Sequence, residues 1–333
     1  MTELEKVISG ARQICLVSHT HPDGDALGSV VGLGSYLIER KGKSVKCILP
    51  TAPADNLMFM VPEGFPLSIA EDDTPAALDI IKGCDLLMVL DCSGLSRTDF
   101  LEEHLRKSTA FKVLMDHHVS PETGDFGMVF SKTEISSASE LIYWILRDME
   151  GGTLPQATRT ALMAGMTTDT NNFANSVFPS TFAMASELIE AGTDRDYILS
   201  SIYQQYRENR IRLMGWMQSS NMVVLPCGAA YMILDADTQK RFDYKEGDSE
   251  GLVNIPLGIA GVKLSVMLKQ TEKGFRVSIR SRRGTSAREL AVRSFHGGGH
   301  ENASGGKLDF GTDIANAGAA SAYVEQAIKE YLK

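Results

Sequence analysis

The stretch "QICLVSHTHPDGDALGSVVGLGSYLIER", residues 13–40, decides the fold. Its opening apolar run reads as a buried strand, breaks at Ser18 into a polar turn, and gives way to a helical pattern from about Ala26 to Arg40. His19, His21, Asp23 and Asp25 crowd into the seven residues of that turn. Strand, polar turn and helix in this order form the unit of an open α/β sheet, where ligands sit outside the carboxyl ends of the strands.

The alternation continues outward. "SVKCILP" is followed by a helix near Thr74 to Lys82, "DLLMVLDCS" by one near Asp99 to Lys107, and "FKVLMDHH" closes the series. Nearly continuous apolar strands are covered on both faces, which predicts a mainly parallel sheet flanked by helices. Further helices are expected at about Ser137 to Met149, with Ser136 or Ser137 as cap and Glu140 in the first turn, at Pro155 to Met166 and at Ser180 to Ala191. After a helix over residues 195–220 the pattern changes to hairpins: "NMVVL", "PCG", "AAYMILD", then "VKLSVMLKQ", "TEKG", "FRVSIRS". A chain of 333 residues is too long for one ordinary core. It is expected to divide into a catalytic α/β domain at 1–194, a connecting helix at 195–220 and a smaller α+β domain at 221–333, with an active-site cleft between the domains.

With 43% hydrophobic and 23% charged residues the composition is that of a globular protein. No apolar run approaches a membrane span. "MTELEKVISGARQ" lacks the apolar core of a signal peptide and the Arg-rich character of a transit peptide, so a cytoplasmic location is expected. The five cysteines are scattered and free of CxxC pairs, the pattern of reduced thiols without chemistry. A net charge of −9 disfavours long duplex DNA as a partner, because affinity for a phosphate backbone needs many Lys and Arg contacts. A small anionic ligand in a metal-charged or locally basic pocket remains compatible.

Three strand ends deliver carboxylates and imidazoles to one edge: His19 with Asp23 and Asp25, then Asp91, then Asp116, His117 and His118. "AGMTTDTNNF" can add Asp169. Each residue alone reads as a turn former, a helix cap or a structural histidine. Their coincidence points to a site. So many anions repel one another unless cations neutralise them. Asp and His ligands without Cys suit Mn²⁺ or Mg²⁺, and Zn²⁺, Fe²⁺ and Co²⁺ also fit. The candidates are too many for one ion; two ions, roughly 3.5 to 4 Å apart and sharing a carboxylate, form the arrangement used for in-line attack on phosphorus. The expected chemistry is phosphoester or phosphoanhydride hydrolysis.

"HTHPDGDALGS", "DCSG", "DHH" and "TTDTNNF", in that order, resemble the four motifs of the DHH phosphoesterase superfamily, and "GGGHENASGG" resembles the phosphate-binding loop of its DHH-associated domain. The resemblance implies a two-metal centre, typically Mn²⁺ with Mg²⁺ or Co²⁺ as alternatives, held by His19, Asp23, Asp25, Asp91, His117 and Asp169, with Asp91 as the bridging carboxylate. It implies catalytic roles for His118, facing the substrate phosphate, and Asp116, supporting the histidines. His21 stands where Asn is common and is left outside the ligand set. Asn171 occupies a position that is often Gly, so either the backbone differs there or the amide touches substrate.

The second domain carries Arg276, Arg280, Arg282, Arg283, Arg288 and Arg293 beside Gly297, Gly298, Gly299 and His300, a basic patch in an acidic protein. Forked guanidinium contacts and glycine backbone N–H groups suit a phosphate. Matched to the family, Arg280, His300, Gly298 and Gly299 become substrate-binding candidates, with Asn302 and Ser304 behind them. Within the superfamily the chain resembles the bacterial nanoRNase and 3′-phosphoadenosine 5′-phosphate (pAp) phosphatase group. That implies exonucleolytic hydrolysis of very short single-stranded RNA to 5′-mononucleotides, and of pAp to AMP and phosphate. Phosphodiesterases of cyclic or linear dinucleotides are the alternative. An inorganic pyrophosphatase would carry a different C-terminal signature, and a noncatalytic nucleotide-binding module would need damaged metal motifs. Partners are thus expected to be short RNA and small nucleotides, not a membrane, with the oligomeric state open.

Overall fold

A computed structural model describes residues 2–333, which divide into two compact units, one up to residue 205 and one from residue 206. In the first unit, β1 (Gln13–Val17), β2 (Ser44–Leu49), β3 (Leu67–Ile69), β4 (Leu86–Leu90), β5 (Phe111–Asp116) and β6 (Met128–Ser131) form one parallel sheet in the order β3-β2-β1-β4-β5-β6. The winding reverses between β1 and β4, the position at which such sheets open a crevice at their carboxyl edge.

Helices α1 (Glu3–Gly10), α2 (Gly24–Glu39), α3 (Thr74–Gly83), α4 (Glu102–Lys107), α5 (Ala138–Glu150), α6 (Gln156–Asp169), α7 (Pro179–Glu190) and α8 (Arg195–Tyr203) complete the unit. Successive side chains of β1 enter different cores: Ile14 and Leu16 join the cluster containing Leu27, Val30 and Leu162, whereas Cys15 and Val17 join that containing Ala77 and Ile81. Burial on both faces is why the strand reads as an unbroken apolar run. The short strands β3 and β6 lie at the sheet's edges, have no fully buried side chain, and escaped the sequence reading.

Glycines set the distance between α2 and α6. A Cβ at Gly28 would lie 2.6 Å from the Ala161 carbonyl oxygen, one at Gly24 would meet the Thr168 side chain and one at Gly32 would meet that of Leu162. Spaced four residues apart, these glycines line one face of α2. The seam brings the start of α2, with Asp25, against the end of α6, with Asp169.

Two helix expectations are corrected. The helix near Asp99 to Lys107 begins only at Glu102, because Asp99 takes φ 54° and ψ −125° and the residues before it form 3-10 turns. The helix expected over 195–220 is broken: α8 ends at Tyr203 and α9 (Glu208–Trp216) starts anew before a π turn at Met217–Asn221. Arg207 is extended at the break, its guanidinium pairing with Asp248 at 2.5 Å and Asp243 at 3.2 Å, contacts that a continuous helix does not make. The boundary between the units falls in this break.

The second unit comprises α9, β7 (Val223–Leu225), β8 (Ala229–Leu234), α10 (Ala236–Arg241), β9 (Leu264–Gln270), β10 (Gly274–Ser281), α11 (Ala287–Ser294), β11 (Gly298–Gly299), β12 (Ala303–Asp309) and α12 (Ala320–Tyr331). Its sheet runs β11-β12-β10-β9-β8-β7, antiparallel except for β8 beside β9. The hairpins read from sequence are β7–β8 and β9–β10. Phe275, Val277 and Ile279 of β10 pack with Leu290 of α11 and Val324 of α12, leaving Arg276, Ser278 and Arg280 on the other face. No helix among the described residues is long and apolar enough to cross a membrane.

Candidate active site

The carboxyl ends of β1, β4 and β5 and the carboxyl end of α6 bring His19, Asp23, Asp25, Asp91, His117, His118 and Asp169 together. Ligand atoms of Asp91, His117 and His118, of His19, Asp23 and Asp91, and of Asp25, His117 and Asp169 each lie within 4.8 Å of one another. The three groups overlap: Asp91 and His117 belong to two each. His117 Nε2 stands 3.5 Å from Asp91, 3.6 Å from Asp169 and 3.9 Å from Asp25, and His19 Nε2 stands 3.6 Å from Asp91.

Local structure aims each group. His19 Nδ1–H donates to the Thr20 carbonyl at 2.8 Å, which directs Nε2 inward. Asp23 caps α2, its Oδ1 accepting from the Asp25 and Ala26 N–H groups at 3.0 and 3.1 Å. Asp25 is buried, and its two oxygens accept from Ala138 N–H at 2.6 Å and Ser139 N–H at 2.9 Å, donors at the N-terminus of α5. That terminus is fixed by Ser137 Oγ, which accepts from Glu140 N–H at 3.0 Å, and by the buried Glu140 carboxylate, which accepts from Ser136 N–H at 3.0 Å and Thr181 Oγ1–H at 2.8 Å. Asp91 takes φ 50°, an uncommon conformation that turns the chain at the end of β4. Asp116, fully buried, accepts from His118 N–H at 3.1 Å and from Nδ1–H at 2.7 Å.

The centre's charges oppose one another. Burial, then the Asp91 charge, pushes the Asp25 carboxyl up to about 7, and burial with the Asp25 charge raises Asp169. Burial disfavours the His117 imidazolium, yet contacts with Asp91, Asp25 and Asp169 raise it to about 10. Burial likewise opposes His19 protonation, but Asp91 lifts it above its ordinary value. Asp91 is buried too, and both imidazoles hold its carboxyl well below the usual range. Asp91 Oδ1 nevertheless accepts no hydrogen bond. A buried, orphaned carboxylate oxygen amid oxygen and nitrogen donors, with no thiolate, fits divalent cations.

His21 belongs to none of these groups; it is exposed at φ 52°, and its N–H donates to Thr51 Oγ1 at 2.7 Å. Asn171, at φ 47°, takes the left-handed backbone that a glycine would favour. Sequence reasoning missed Arg97, six residues after Asp91, whose Nη1 stands 3.4 Å from His118 Nε2. An arginine following a strand-end aspartate in "DCSGLSR" was the available signal.

In the second unit, Arg280 stands opposite Ala303 in the β10–β12 ladder, so it flanks the turn that carries His300. Burial lowers the Arg280 guanidinium from its ordinary value, with Glu250 opposing. Gly298 and Gly299 pair with Gly305 and Ser304, and Gly299 takes φ 135°, a conformation open to glycine. His300 N–H donates to the Ala303 carbonyl at 2.8 Å. Asn302 and Ser304 have internal partners: Asn302 Nδ2 donates to Ser281 Oγ at 3.0 Å and Arg282 O at 3.2 Å, and Ser304 Oγ to the His300 carbonyl at 2.7 Å.

The chain is similar to several known proteins. The bifunctional oligoribonuclease and PAP phosphatase NrnA of Thermus thermophilus is 29% identical over 325 residues, spanning 95% of this chain and 90% of that protein. A probable protein of the same description from Streptococcus mutans is 28% identical over 296 residues, 88% of each chain. The crystal structure of an exopolyphosphatase-related protein from Bacteroides fragilis superposes with a TM-score of 0.91 at 35% identity, covering 99% of this chain and 95% of that one. Residues 13–166 match the DHH family, N-terminal domain, and residues 228–330 match the DHHA1 domain, so the chain belongs to the DHH family of phosphoesterases.

Proposed function

We propose that the protein is a manganese-dependent phosphoesterase with two cation positions. It hydrolyses very short RNA to 5′-mononucleotides and pAp to AMP and phosphate. The observation that carries this reading is the overlap of ligand groups at Asp91, which belongs both with His19 and Asp23 and with His117 and His118. A carboxylate common to two groups is what two neighbouring cation positions would call for. His19, Asp23, Asp25, Asp91, His117 and Asp169 would hold them. When bound there, divalent cations would supply Lewis-acid activation of water and neutralisation of charge on the phosphorus centre.

The chain's own residues do the rest. The α5 N-terminus fixes both oxygens of Asp25, and the Thr20 carbonyl fixes the ring of His19. Asp116 holds His118 at Nδ1, so Nε2 is the atom offered to the substrate phosphate and the leaving oxygen. In the second unit, Arg280 and His300 recognise a further phosphate group of the nucleotide, Gly298 and Gly299 let backbone approach it, and Asn302 and Ser304 keep the turn in shape. Names of the relatives support substrates of this size, since NrnA of Thermus thermophilus is described as an oligoribonuclease and PAP phosphatase.

Product analysis with Mn²⁺ on a diribonucleotide, longer RNA, single-stranded DNA, pAp, cyclic di-AMP and pyrophosphate tests the reading. The diribonucleotide and pAp should be the best substrates, and Asp91→Asn or His117→Ala should lower their hydrolysis by about three orders of magnitude. Cleavage of pyrophosphate alone, or full activity in either variant, refutes it. Preference for cyclic di-AMP reassigns the substrate.

A further inference from the structure

Arg97 is a cation beside the candidate centre with no carboxylate partner among the described residues. It lies on the segment that follows Asp91, half-buried, and its one side-chain partner among the described residues is His118, at 3.4 Å. Because Asp116 engages His118 at Nδ1, Nε2 is the ring atom that faces Arg97. The contact is long, and the remaining donors of the guanidinium fork have no acceptor among the described residues.

The segment that carries Arg97 is braced. Thr20 N–H donates to the Arg97 carbonyl at 2.9 Å, and Thr98 Oγ1–H donates to the Leu95 carbonyl at 2.7 Å. Glu122 N–H donates to the Ser93 carbonyl at 2.6 Å, and its carboxylate accepts from Ser96 and, at 2.9 Å, from Arg106. A Cβ at Gly94 would collide with the Glu122 side chain, so this packing depends on glycine. Arginine is the side chain suited to two-point contact with a phosphate, and a fixed backbone lowers the entropic cost of that contact.

We infer that Arg97 is a phosphate-binding catalytic residue: its guanidinium holds a non-bridging oxygen of the phosphate undergoing hydrolysis, beside His118 Nε2. Hydrolysis adds water to phosphorus and breaks the bond to the leaving oxygen, which takes up a proton; charge builds on the non-bridging oxygens where this guanidinium stands. The role rests on the phosphoesterase reading and deepens it, adding a contact from the chain itself to those at Arg280 and His300.

Arg97→Ala and Arg97→Lys test it, with hydrolysis of the diribonucleotide, metal content, and titration of AMP and inorganic phosphate as readouts. Arg97→Ala should lower kcat/KM by about 10²- to 10³-fold and weaken phosphate binding, with unchanged Mn²⁺ content. Guanidinium ion added to this variant should restore part of the rate, and Arg97→Lys should fall between the two. Unaltered kcat/KM and phosphate affinity in Arg97→Ala overturn the assignment. So does a loss accompanied by lost Mn²⁺ and not relieved by guanidinium, which marks a structural residue. If the unsubstituted enzyme hydrolyses none of the substrates, the phosphoesterase reading fails by itself, and the phosphate titration still decides the role of Arg97.

Discussion

Asp91 and Asp169 are carboxylates of one cluster whose electrostatic surroundings differ in sign. Burial opposes the charge of both, but two imidazoles outweigh it at Asp91, whereas at Asp169 burial and the Asp25 charge outweigh the single contact with His117. Removing the charge should therefore have opposite effects on the cation-free fold. With chelator present at pH 7, Asp169→Asn should raise the melting temperature by about 2 °C, and Asp91→Asn should lower it, while both abolish Mn²⁺-dependent hydrolysis. Thermal melts of the two variants check this; a fall for both would show that the aspartates are held by packing alone. His21 shows the limit of residue reading. It shares the turn with three of the clustered residues, yet its left-handed backbone directs it to the surface, and nothing in "HTHPDGD" distinguishes an inward from an outward imidazole.

Among the elements, α2, α5 and α6 determine where the carboxylates lie. Gly28→Ala should force α2 and α6 apart and cost about 2 to 3 kcal/mol in stability, since the added carbon would meet backbone. Mn²⁺ affinity should fall as well, because Asp25 and Asp169 face each other at one end of that seam; calorimetric titration beside a denaturant melt separates these effects. Glu140 governs α5 through a depressed pKa. Burial acts against its charge, but hydrogen bonds from Ser136, Ser180 and Thr181 outweigh it, so the folded value lies below the ordinary 4.5. Its contribution is therefore complete above pH 4.5 and disappears as the pH falls through the folded value. Glu140→Gln should cost about 2 kcal/mol at pH 7 and progressively less in acid, which chemical denaturation across pH will show. Four strands and their order along the chain were legible because burial on both faces leaves a one-dimensional trace. β3 and β6 were not, because edge strands with half-buried or exposed side chains leave none. The break before α9 was equally silent, since it depends on Arg207 finding Asp248, 41 residues away.

At the scale of the molecule, each unit has its own apolar clusters, so each can be stabilised by its own ligand. Mn²⁺ should raise the melting transition of residues 1–205, by about 2.7 kcal/mol at a hundredfold excess over Kd, and leave that of residues 206–333 in place. Differential scanning calorimetry with and without Mn²⁺ measures this, and an equal shift of all unfolding would count against it. The candidate site was legible where its residues stand at strand ends, because chain position and chemistry coincide there. Arg97 was not, because an arginine on a loop reads as a solvated surface until its neighbours are known. The net charge of −9 conceals the same lesson, since it averages an acidic centre with the cationic strip of Arg276 and Arg280 on one face of β10.

Asp23 has two attachments: Oδ1 starts α2, and the carboxylate also stands among the groups fit for a cation. Serine starts helices about as well as aspartate but offers no anion. A single exchange at residue 23 can therefore preserve the fold while weakening the chemistry. Descendants of such a chain have a short route to becoming proteins that bind a phosphoester without cleaving it, and folding stability gives selection little with which to resist that drift.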